Sequence, residues 1–154
     1  MTKTDHSEII AGLRASLREL PALVDRLPPE RLRTAPGPDE WSAAGVLAHL
    51  ADAEQVYGVR LKMIATADQP ALTPYDQDDW ERRFGPLESA TSALERWRVL
   101  RQSMLRVLES LDEAAWERTG LHQERGPESI AKIARLLVDH DRLHMKQMER
   151  AATS

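Results

Sequence analysis

Residues 130–148 read IAKIARLLVDHDRLHMKQM. Ile130, Ile133, Ala134, Leu137, His140, His144 and Met148 recur every three or four residues, the spacing of one helical face. Pro127, just upstream, suits a first helical turn, where its missing N–H costs nothing. The spacing predicts a helix from about 127 that frays by 152. Two of its inward positions are histidines, so this apolar stripe also carries chemistry.

Three more stripes lie upstream. Leu94, Trp97, Leu100, Leu105, Leu108 and Leu111 predict a helix over about 87–111, joined to the last by a connection over 112–126. Val46, Leu47, Leu50, Ala53, Tyr57, Leu61 and Ile64 predict another, with Ser42 as N-cap. Ile9, Ile10, Leu13, Leu17, Leu20 and Val24 mark the first, over about 5–27. Pro21 is expected to kink or break it, and Pro28 and Pro29 to stop it. Residues 31–40, RLRTAPGPDE, are turn chemistry. Residues 66–86 hold Pro70, Pro74, Gly85 and Pro86. They read as a long loop with a short helical turn near 79–83. A loop of that length is usually functional or a crossover.

Four long helices in 154 residues predict an all-α fold, a four-helix bundle filling one domain over 1–154. A helix of about 23 residues is roughly 35 Å long. The loop of about 20 residues between the second and third helices could reach roughly 65 Å. It can run back along the bundle, so up-down-down-up is the preferred topology and up-down-up-down the alternative.

Composition narrows the function. There is no cysteine, which excludes disulfides, thiolate-ligated zinc, iron–sulfur clusters and a cysteine nucleophile. A net charge of −4 and no basic stripe argue against nucleic-acid binding. No signal-like start and no membrane-length apolar run are present, so the expected location is the cytoplasm, with no membrane partner. Metal-binding nitrogen must come from the five histidines.

His140 and His144 are spaced to chelate one ion from a single helical face. Both continue the apolar seam, as does His49 in the second helix. Three inward histidines match the ligand set of catalytic sites that keep one position open. His6 is expected to be exposed and inert in an N-terminal tail. His122, in the connection before the last helix, is a candidate pocket residue.

The run 41–50, WSAAGVLAHL, resembles the WSxxxVLxHL motif of the DinB/YfiT-like superfamily. Residues 140–147, HDRLHMKQ, resemble its HxxxHxxQ motif. The resemblance spans nearly the whole chain. It implies an up-down-down-up bundle, a divalent metal (nickel or zinc) on His49, His140 and His144, and a homodimer. Many relatives have Glu where this chain has Gly45. That Glu would complete a capping box with Ser42. The resemblance also implies thiol-dependent S-transferases and looser hydrolase labels.

Three neutral imidazoles leave a bound metal its full charge, which acidifies a bound water or thiol. The expected function is a metal-dependent enzyme acting on a small-molecule substrate. It would activate a low-molecular-weight thiol cosubstrate for S-transfer. The alternatives are a hydrolase using activated water and a metal-binding stress protein without turnover. Asp52, three residues after His49, is the candidate to orient that ring or act as base. Tyr75 and Trp80, in the YDQDDW stretch, are candidate pocket walls. Trp41 and Trp97 read as core packing, Arg101 as an exposed ion pair, and Asp141 as a solvated helix face.

Overall fold

The structure, a computed structural model, describes residues 2–154. In chain order it contains α1 (Lys3–Arg26), α2 (Ala43–Thr66), β1 (Ala71–Leu72), α3 (Gln77–Phe84), α4 (Ala90–Ser110), α5 (Glu113–Trp116), β2 (Thr119–His122), β3 (Gly126–Ser129) and α6 (Ile130–Thr153). Short 3-10 turns precede α2 and α4. The four long helices are α1, α2, α4 and α6. A Ser or Thr caps each, accepting from a first-turn N–H that would otherwise be unpaired. Thr2 forms a full capping box with Asp5. Ser42, Ser89 and Ser129 accept from the N–H of Gly45, Ser92 and Lys132.

Cross-helix contacts fix the directions. Asp52 meets Arg96, Glu54 meets Arg101, and Gly58 lies against Met104. Both numbers rise together, so α2 and α4 run parallel. Gly12 against Val138 and Arg26 near Glu149 make α1 and α6 parallel. Arg101 of α4 bonds the Leu13 carbonyl, while His6 lies beside Glu113 of α5, just past the end of α4, so α1 and α4 are antiparallel. The bundle is up-down-down-up.

Three expectations need correction. Pro21 does not break α1, which continues to Arg26 with the proline inside it. Leu20, Leu23 and Leu27 remain 1–5% exposed. Burying three leucines at roughly 1.5–3 kcal/mol each outweighs about 3 kcal/mol for an interior proline. Pro127 does not open α6; it lies in β3, opposite Leu121. The connections are also more ordered than loops. β1 pairs in parallel with β2, and β2 pairs antiparallel with β3. A Cβ on Gly120 would stand 2.9 Å from Leu72 and 3.0 Å from Ile64. Glycine there lets the hairpin close against the crossover and the end of α2.

The apolar core forms two clusters. One includes Leu13, Ala53, Leu61, Leu105 and Leu137; the other includes Leu20, Leu47, Trp97 and Met148. Along the helices, the buried polar residues Arg101 and Asp141 fall between them, and Glu54 lies just inside the first. The same level of the bundle holds the histidines. Among the described residues, no helix is long and apolar enough to cross a membrane.

Candidate metal centre

α2 brings His49, and α6 brings His140 and His144, to one point. The His140 Nε2 lies 3.0 Å from the Nε2 of His49 and 3.0 Å from that of His144. His49 and His144 are buried and His140 is half-buried. One donor atom from each lies within 4.8 Å of the others. Burial pushes the pKa of His49 down to about 3, with the neighbouring His140 and His144 adding to it. Burial and His144 push His140 down to about 4. Burial lowers His144 as well, against its bond to Gln147. The rings are therefore neutral at pH 7, the form that offers a lone pair.

The hydrogen bonds test whether these groups fit a cation. His144 Nδ1 lies 2.7 Å from the Gln147 Oε1. That amide oxygen only accepts, so the proton sits on Nδ1 and Nε2 carries a lone pair. One proton on the His140 Nε2 cannot point along both 3.0 Å contacts at once. A divalent cation satisfies all three nitrogens together, as three-histidine sites do. The second-sphere bond from His144 to Gln147 has the form that fixes ligand tautomers.

The other histidines lie elsewhere. His6 is not an exposed tail residue. It is 4% exposed in the first turns of α1, with its ring stacked on Trp116 at 4.3 Å. The Thr2–Asp5 capping box starts the helix early enough to face His6 toward α5. His122 is buried on β2 and lines a cavity of about 170 Å³ together with Tyr75 and His140. Trp80 does not line that cavity. Its ring packs on Tyr75 at 4.7 Å and borders a neighbouring, more apolar cleft of about 300 Å³. Burial pushes the Tyr75 phenol up to about 12, so it is a neutral donor at pH 7. Asp52 pairs with Arg96 at 3.0 Å rather than with His49. Burial raises its pKa, and Arg96 opposes the rise.

Two residues read as surface groups are buried. Arg101 is 0% exposed and forms fork-like bonds to Glu54 (2.7 and 2.9 Å) and to Asp141 (2.7 and 3.1 Å). It also donates to the Leu13 carbonyl and lies over the Trp97 ring. Trp41 is half-buried but packs on the clustered histidines: its ring is 4.8 Å from His49 and 6.4 Å from His144. A Cβ on residue 45 would lie 2.6 Å from the Glu81 carboxylate of α3. The volume of the absent capping side chain is thus taken by another carboxylate.

A family model described as the DinB superfamily matches residues 13–148. A protein of Oceanobacillus iheyensis named "Putative metal-dependent hydrolase" is 31% identical over 119 residues, covering 75% of this chain and 67% of its own. One of the same name from Geobacillus thermodenitrificans is 35% identical over 122 residues, covering 74% and 65%. The chain thus spans about two thirds of the length of these relatives. The solved structure of YfiT from Bacillus subtilis, titled "a probable metal-dependent hydrolase with an unusual four-helix bundle topology", superposes with a TM-score of 0.90. That match has 21% identity and covers 98% of this chain and 87% of that one.

Proposed function

This chain belongs to the DinB superfamily, and from that premise we propose that it is a metal-dependent hydrolase of a small-molecule substrate, with His49, His140 and His144 as metal ligands. The convergence of the three Nε2 atoms, on rings held neutral by burial, carries the reading. A divalent ion such as zinc or nickel supplies Lewis acidity there, making a water nucleophilic near neutral pH. The chain's own residues do the rest. Gln147 holds the His144 tautomer, and Trp41 covers two of the rings. Tyr75 and His122 wall the cavity beside His140, and Trp80 backs Tyr75. In this reading Asp52, whose pKa burial raises, is the carboxylate that exchanges a proton with substrate, and its ion pair with Arg96 holds it.

One observation supports a second reading on the same ligands. The chain has no cysteine, so sulfur chemistry here would use a borrowed thiol, and a low-molecular-weight thiol would be the nucleophile of an S-transferase. Metal analysis of the purified protein, then ester, amide and electrophile screens with and without cellular thiols, separates the two. Turnover without thiol supports hydrolysis; turnover only with thiol supports transfer. Absence of bound metal, with His49→Ala and His140→Ala leaving metal affinity unchanged, overturns both. Homodimerisation belongs to the same family reading and is measured by sedimentation of the metal-loaded protein.

A further inference from the structure

We propose that the cavity beside His140 is an oxyanion subsite, in which Arg60 and the Nε2–H of His122 hold a carboxylate or phosphate group of the substrate. The inference deepens the metal-centre reading by naming the substrate class, and it rests on that reading only for the chemistry that follows binding.

Arg60 sits on the inward stripe of α2, three residues after Tyr57 and four before Ile64, and is 5% exposed. Its guanidinium donates to the Thr73 carbonyl and lies 5.1 Å over the Tyr57 ring. Among the described residues no carboxylate forms an ion pair with it. The contrast with Arg101, gripped by two carboxylates, is chemical: a guanidinium stays charged at any working pH, and a buried charge needs a counterion.

The second donor is His122. Its Nδ1 accepts from the backbone N–H of Glu124 and of Arg125, each at 3.2 Å. The proton must then be on Nε2, which is buried without a partner. Arg60 and His122 line the same cavity, together with Tyr57, Tyr75 and His140.

The remaining charges at the cavity do not cancel Arg60. Arg125 is paired with Glu128 at 2.9 Å, and Glu124 is exposed at the rim. An oxyanion satisfies both unmatched groups: two oxygens suit the guanidinium fork, and one can also accept from the imidazole N–H. A cation or an apolar group would leave them unmatched. About 170 Å³ holds an anionic group and a few attached atoms, so the rest of the substrate extends outward. Because His140 is shared between cavity and cluster, the anion lies beside the reacting bond.

The test is an NMR titration of the whole chain with acetate and, separately, inorganic phosphate, on chelator-stripped and zinc-loaded protein. Saturable shifts of the Arg60 side-chain and His122 Nε2–H signals are expected in both forms. Arg60→Met should weaken binding about tenfold or more, as for a lost charged hydrogen bond, with zinc affinity retained. Tighter binding of acetate names a carboxylate substrate; tighter binding of phosphate names a phosphorylated one. His122→Phe, which removes the Nε2–H and sets a somewhat larger ring in its place, decides the matter if Arg60→Met does not fold. Lack of saturable shifts overturns the inference, as does undiminished affinity in the folded variants. Oxyanion binding by protein that takes up no zinc would leave this inference standing and remove the metal reading; zinc uptake without oxyanion binding would do the reverse.

Discussion

At the scale of single residues, Gln147 makes the sharpest difference to the metal ligands. Its side-chain oxygen commits the His144 proton to Nδ1. Gln147→Leu releases that constraint, and metal affinity should fall about 10–100-fold, read by competition with a chromogenic chelator. The imidazoles also set a pH dependence. His49 and His140 have folded pKa values near 3 and 4, below the ordinary value near 6.5. Between those limits the unfolded chain binds more protons than the folded one, so stability falls as pH falls. Chelator-stripped protein should lose melting temperature from pH 7 toward pH 4. A His49→Ala/His140→Ala double variant should show a shallower loss, measured by thermal denaturation across that range.

At the scale of elements, the guanidinium of Arg101 ties α4 to the other three long helices: Leu13 of α1, Glu54 of α2 and Asp141 of α6. Glu54 and Asp141 lie five residues and one residue from His49 and His140 of the histidine cluster. Arg101→Met leaves two buried carboxylates uncompensated and should cost about 3–5 kcal/mol, read by urea denaturation. Replacing all three by apolar residues of similar size should recover most of that loss. Both helices that carry the histidine cluster were readable from periodicity, because His49, His140 and His144 continue apolar stripes. The polar triad obeys the same rule. Glu54 follows Leu50 by four, Arg101 follows Trp97 by four, and Asp141 follows Leu137 by four. The face was legible, but a lone charged residue on it gives no sign of its partner, which comes from a different helix. Pro21 misled for another reason. A local rule predicts a kink or a break, whereas burial of Leu20, Leu23 and Leu27 against the other helices keeps the chain helical past it. The β1–β2 pairing was hidden because it joins a two-residue strand to a segment some 50 positions away, with no local pattern to mark it.

At the scale of the molecule, the metal should act as a structural ligand as well as a chemical one. An ion that binds only the folded chain stabilises it by about 4 kcal/mol at a free concentration 1,000 times its Kd. Chelation should lower the melting temperature, zinc or nickel should restore it, and His140→Ala should abolish the increment. Loop length made up-down-down-up the preferred topology and left up-down-up-down as the alternative: the segment between α2 and α4 is long enough to return along the bundle, and the parallel contacts of α2 with α4 show that it does.

His49 and His140 are 91 positions apart, and two of the three proposed ligands lie on the last helix. On the ribosome, a chain lacking α6 has one of these histidines and no cluster, however well its earlier helices have paired. Closing so long a loop is entropically late, so on the proposed ligand set the full three-histidine site forms only when the final helix docks. Metal uptake during translation would therefore time the completion of the bundle.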